Sequence, residues 1–263
     1  IKDRYFWKYL FFITITLFVR FTFFHFLFTF PKYGIRVLGE GAKIGTIYGI
    51  LNPVLIIFLV PLVAAMTKKV STYRMLIIGT AISSLSVFIA VIPGSFFSSL
   101  TNSVLGELVF VKWLGLAQNM QALMASPPSD FYWPLFIFLI VWTVGEATWY
   151  PKIIQLMTQL APKGNEGTYI AFVALPTFIS TLLVGPMSGL LLKTYTPLTE
   201  IVDAAGKTIQ VVGDLSHHYM VWVWIGGIAV FTPICLIIFR NVYYSMKEEQ
   251  SKREGQTEMF VPA

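Results

Sequence analysis

An acid sits where an acid is costly. The stretch from Tyr132 to Tyr169, YWPLFIFLIVWTVGEATWYPKIIQLMTQLAPKGNEGTY, is long and apolar enough to cross a bilayer, yet it carries Glu146 near its middle. A charged residue at that depth costs about 2.5–3.5 kcal/mol on insertion scales, and such groups face a bundle interior or a wet cavity. Its chemistry there is to hold a proton or a cation. On a helix, Trp142, Thr143, Trp149 and Tyr150 fall beside Glu146, giving one acid aromatic walls that suit a substrate ammonium group. Pro151 follows, removing a backbone donor and inviting a bend.

Two other apolar runs carry polar residues. Arg20 lies close to the centre of FFITITLFVRFTFFHFLF, with His25 further along the same run. Glu146 is the acid available within the apolar runs, so an Arg20–Glu146 pair or a cavity shared by both is expected. The alternative is a static ion pair that fixes helix packing. His25 titrates in a useful range, as a proton relay or as a packing histidine nearer the outer interface. In TIYGILNPVLIIFLVP, Asn52 and Pro53 interrupt the run, and Thr46, Gly49 and Asn52 recur every third residue along one face. That face would line an aqueous cavity or pack tightly through its small residues. Gly185 and Gly189 read as a small-residue helix contact, and Lys152 as a snorkelling cation. Cys235 stands alone, and His217 and His218 have no matching ligands nearby in the chain. The sequence therefore offers no disulfide framework, no metal site and no cofactor site. An enzyme would need a nucleophile–base pair, a metal cluster or paired acids, and that set is incomplete.

The elements that must position these residues are membrane helices. Hydrophobic residues make up 56% of the chain and charged ones 12%, against about 25% charged in soluble domains. The apolar runs are continuous rather than alternating, which specifies helices and not barrel strands. Six spans are expected, at about residues 6–30, 44–66, 75–93, 132–159, 169–192 and 219–239. Residues 95–131 read as an outer loop holding an amphipathic helix at about 104–125, with an extra span as the alternative. The loop 193–218 reads as polar and partly ordered, and residues 241–263 as a disordered cytoplasmic tail.

Basic residues decide the orientation. Lys2, Arg4, Lys8, Lys68, Lys69, Arg74, Lys163, Arg240, Lys247, Lys252 and Arg253 fall on one side, against Lys32, Arg36, Lys43, Lys112, Lys193 and Lys207 on the other. The positive-inside rule then puts both termini in the cytoplasm of a multi-pass protein, with the plasma membrane as the expected location. The net charge of +6 is spread over loops and offers no folded basic face for nucleic acid.

GEATWYPKIIQLMTQLAPKGNEGTYIAF resembles the tenth helix and following loop of proton-dependent oligopeptide transporters, a branch of the major facilitator superfamily. LNPVLIIFLVPLVAAM looks like the family's eighth helix, and VRFTFFHFLFTFPKYGIR like the seventh helix of uncharacterised peptide-transporter-like members. The resemblance implies an all-α fold, the C-terminal six-helix half of a twelve-helix bundle. The missing N-terminal half would lie in the same or a second chain. It also implies that Glu146 binds a peptide amino terminus and that Asn52 assists it. The chain departs from the pattern in its first span, which has Arg20 and His25 where the family commonly keeps an acid.

Residues and resemblance together lead to one expectation: a secondary active transporter, proton-coupled, moving di- or tripeptides or a related small solute by alternating access. Glu146, Asn52, Arg20, Trp149 and Tyr150 would bind substrate, Glu146 and His25 would carry protons, and Pro53 and Pro151 would kink the helices. The alternatives are a major facilitator transporter for a sugar, organic anion or drug, and a transporter-like sensor that does not transport.

Overall fold

A computed structural model describes residues 3–39, 42–118, 121–122, 129–202 and 208–259. The chain is overwhelmingly helical. Helix α1 (Arg4–Phe28) is capped by the Asp3 carboxylate, which accepts from Tyr5 N–H at 3.0 Å. It pauses at Thr16, where a side chain from a later helix enters the ladder. Thr232 Oγ1 donates to Ile15 O at 3.1 Å and accepts from Val19 N–H at 2.9 Å, satisfying both groups that the pause frees.

Helix α2 (Phe30–Leu38) continues from α1 and ends at Gly39, whose φ of 93° suits glycine. Helix α3 (Ile44–Met66) passes through a π-helical turn, Ile47–Leu51, immediately before Asn52 and Pro53. The wider turn absorbs the register change that a missing proline N–H demands. Helix α4 (Thr72–Val91) begins at a Ser71 cap and tightens into a 3-10 turn over Val87–Val91.

After shorter turns come α5 (Tyr132–Leu160) and α6 (Glu166–Tyr195). An antiparallel hairpin follows, β1 (Leu198–Val202) paired with β2 (Thr208–Val212), Leu198 opposite Val212. Helices α7 (Met220–Ile238) and α8 (Arg240–Met259) complete the described chain.

Helices α1, α3, α4, α6 and α7 are each long and apolar enough to cross a membrane, which makes this a helical membrane protein. The apolar runs of the sequence also place a sixth span at α5. That helix has 29 residues, about 43 Å at 1.5 Å per residue, but its acid, lysine and amphipathic rings keep it out of the most apolar group. It is instead the most enclosed helix, buried along most of its length between α3 and α4.

Helix α5 lies on α3 and α4, α1 lies on α6 and α7, and α4 meets α7. Swapping α1 with α5, α3 with α6 and α4 with α7 exchanges these main contacts among themselves, a partial two-fold relationship; the smaller α1–α4 and α6–α7 contacts have no counterpart of like extent. Helices α4 and α5 approach closely because each presents glycine. A Cβ on Gly79 would fall 2.6 Å from Trp149 N, and one on Gly145 would fall 2.6 Å from Ser83 N.

Two aromatic cores flank the middle of the bundle. One gathers Phe26, Phe30, Phe138, Trp142 and Trp222, and the other Tyr5, Tyr9, Tyr73, Trp149 and Tyr169. The N-terminus, the 160s loop and the C-terminal helix meet at one end, where Tyr9 OH donates to Tyr169 O at 3.0 Å and Gln250 Nε2 to Ala161 O at 3.0 Å. At the opposite end Arg36 Nη1 donates to Leu192 O at 3.0 Å and to Thr196 O at 2.7 Å.

Three expectations change. The tail is not disordered over its described part: α8 buries Tyr243 and Met246, and Tyr243 stacks on Tyr73 at 4.3 Å between ring centres. The amphipathic helix of the outer loop is short: helical turns run from Val104 to Trp113 and stop before Gly115, whose φ is 60°. Ten residues cover at most about 15 Å, too little for a span, and residues 119–120 and 123–125 lie outside the described set. The 193–218 loop, expected to be partly ordered, carries the hairpin in its described strands and changes nothing in that reading. Gly185 and Gly189 make no small-residue contact, because a Cβ on either would meet nothing within 4 Å.

Candidate functional site

Glu146 and Asn52 meet across the α3–α5 interface. Asn52 Nδ2 donates to Glu146 Oε2 at 3.1 Å and to Thr143 Oγ1 at 2.9 Å. The π turn before Asn52 sets the rotation that turns its amide toward α5, while most of α3 beyond it faces outward. Thr143 closes its own account by donating to Leu139 O at 2.7 Å, so its oxygen is fixed as an acceptor. Glu146 is 9% exposed, and its Oε1 makes no hydrogen bond among the described residues.

Two further side chains lie near the same carboxyl. The indole of Trp142 is beside it, fully buried, its ring N–H close to the carboxyl without a hydrogen bond of good geometry. Tyr48, on the π turn of α3, packs edge-on against Phe26, 4.9 Å between ring centres. The cluster thus holds a buried carboxyl on one amide donor, with the indole N–H of Trp142 nearby. Such a group can take up a proton, or an ammonium against the aromatic rings.

Arg20 does not pair with Glu146. Its Nη1 donates to Thr177 Oγ1 on α6 at 2.6 Å, because α1 packs on α6 rather than on α5 at this height. Arg20 is 7% exposed, Nε has no acceptor, and no carboxylate forms an ion pair with it among the described residues.

Trp149 leaves the expected site altogether. It is buried toward α4, where its Nε1 donates to Ser83 Oγ at 3.1 Å, so it is a packing residue. Tyr150, one residue on, is half-exposed. His25 is wholly buried rather than interfacial. Its Nδ1 lies 2.7 Å from Thr29 Oγ1, which donates to Ser188 Oγ on α6 at 2.9 Å, and Nε2 has no partner. Pro53 follows the π turn, whereas Pro151 sits inside the unbroken α5.

Thr177, Tyr48 and Ser188 were missed in the sequence. Thr177 and Ser188 are hydroxyls in apolar runs, a type that commonly bonds back to its own helix and so carries little signal, and Tyr48 reads as one more aromatic among many. No group of three or more His, Cys, Asp or Glu lies together among the described residues. Compared with known proteins, the chain matches no family model, no curated protein and no solved structure.

Proposed function

We propose that this chain is one six-helix half of a secondary active transporter of the major facilitator type. In this reading α5 is a sixth span, proton movement is coupled to the uptake of small peptides or a related small solute, and the other half lies in the same or a second chain. The observation that carries the reading is the Asn52–Glu146 contact, a buried carboxyl held across two helices. The partial exchange symmetry of the packing supports it, since transporters of this kind are built from inverted three-helix repeats. So does the breadth of α3 and α6 left exposed, which a second half would cover.

Glu146 works as a switch in this mechanism. Protonated, it is neutral and the half can reorient; ionised, it attracts a substrate ammonium into the aromatic surroundings. Asn52 positions the carboxyl in both states. The clustering at one end of the N-terminus, the 160s loop and α8 supports a shared side for these basic segments, which the positive-inside rule assigns to the cytoplasm of the plasma membrane.

The test is uptake of labelled dipeptide into proteoliposomes holding the full polypeptide, with and without an inward proton gradient. Gradient-dependent accumulation, competed by other dipeptides, is the expected result. Saturable binding without accumulation would turn the reading to a sensor. A second cargo class is favoured by a specific observation, the unpaired Arg20, which suits an organic anion; competition by carboxylates rather than dipeptides would select it.

A further inference from the structure

We infer that Arg20 and Thr177 form an oxyanion subsite, separate from Glu146, that takes the carboxylate of a small solute. An arginine stays charged at every physiological pH, and a buried charge needs a counter-charge. The Arg20 guanidinium has none: its bond goes to a neutral hydroxyl, Thr177 Oγ1 at 2.6 Å, Nε is sealed without an acceptor, and Nη2 has no acceptor among the described residues.

The surroundings supply a further donor. Thr177 Oγ1 is occupied as an acceptor, so its own proton is free to be donated outward, and the residue is half-buried rather than sealed. A guanidinium edge with a hydroxyl beside it matches a two-oxygen anion, the geometry in which arginine exceeds lysine. Arg20 lies well inside α1, away from the ends where lipid phosphates reside, which favours a solute carboxylate over a headgroup.

The inference does not need transport to occur, and its test uses no gradient. The full polypeptide is purified in detergent, and its melting temperature is followed as acetate is titrated at constant ionic strength held with a bulky sulfonate. Inorganic phosphate is a second probe. A saturable rise is expected with acetate, at least about tenfold weaker in half-saturation for Thr177→Val and for Arg20→Lys, and absent in Arg20→Gln. Lys112→Gln, an exposed cation elsewhere, should respond like the parent. If Arg20→Gln does not fold, Thr177→Val and Arg20→Lys decide. No saturable rise in the parent, or an equal rise in the Thr177 and Arg20 variants, overturns the subsite; the first would mean that an acid from elsewhere already neutralises Arg20. A rise seen with phosphate and not acetate overturns the carboxylate assignment. Loss of gradient-driven dipeptide uptake, by contrast, would leave this binding result standing.

Discussion

Asn52 donates to the Glu146 carboxylate at 3.1 Å across two helices, and through Thr143 the same amide is tied to the next turn of α5. The contact joins a polar residue beside a π turn to the acid in the most buried helix. It therefore couples the charge on Glu146 to the α3–α5 interface.

Glu146→Gln keeps the side chain's shape and removes its titration. Gradient-driven uptake should fall to background while the protein still inserts and melts within a few degrees of the parent. Asn52→Ala removes a hydrogen bond to a charged group, worth about 1.5–3 kcal/mol, and should weaken substrate half-saturation by about tenfold or more. Uptake assays with both variants check this; a Glu146→Gln protein that accumulates substrate normally would remove Glu146 from the mechanism.

Much of this arrangement was legible in the letters. Continuous apolar runs gave the helices, and Asn52 and Glu146 were conspicuous because polar residues in such runs need partners. Arg20 was assigned by charge complementarity, which says nothing of which helices are neighbours; α1 packs on α6, so Thr177 took the bond. Trp149 was assigned by its spacing from Glu146, but it shares a ridge with Gly145, and that ridge faces α4. The charge-rich composition of the tail concealed a stripe of Tyr243, Met246 and Gln250 at helical spacing, which is the face α8 buries.

The α4–α5 crossing should tolerate no added volume. A Cβ on Gly145 would come within 2.6 Å of Ser83 N, a backbone atom that cannot rotate away. Gly145→Ala should cost about 1–3 kcal/mol by overpacking and should also impair uptake, since Glu146 is the next residue. Ser83→Ala should cost about 1–3 kcal/mol for a different reason, since it leaves the buried Trp149 Nε1–H without its acceptor. Melting of each variant against the parent checks both, and a neutral Gly145→Ala would mean that the helices are not in close contact.

Helix α8 should be held by its buried ring rather than by its ion pairs. Tyr243 lies parallel to Tyr73, 1° between planes and 4.3 Å apart, and is 7% exposed. Tyr243→Ala should cost about 3 kcal/mol, within the range for losing a buried aromatic. Arg253 and Asp3 form a two-pronged pair, but their side chains are 43% and 42% exposed, so Asp3→Asn should cost below about 1 kcal/mol and less in high salt. Thermal melts at low and high salt separate the two; equal costs would mean that the ionic contacts carry the helix.

The opposite end should loosen in acid through His218. Its Nδ1 lies 2.6 Å from Tyr33 OH, and Phe131 meets the ring edge-on at 4.9 Å. The neutral ring accepts the phenol proton at Nδ1, whereas the imidazolium has a proton there and cannot. Burial holds the His218 pKa below its ordinary value of 6.5. The unfolded chain therefore binds a proton that the folded chain refuses between that lower value and 6.5. Stability from this site is complete above pH 6.5 and is lost as pH falls from there through the depressed folded value. Melting temperature measured from pH 8 to 5 should drop more steeply in the parent than in His218→Gln, while His217→Gln, altering the exposed neighbour, should track the parent. Coincident profiles for the parent and His218→Gln would show that the Tyr33 contact is not what acid breaks.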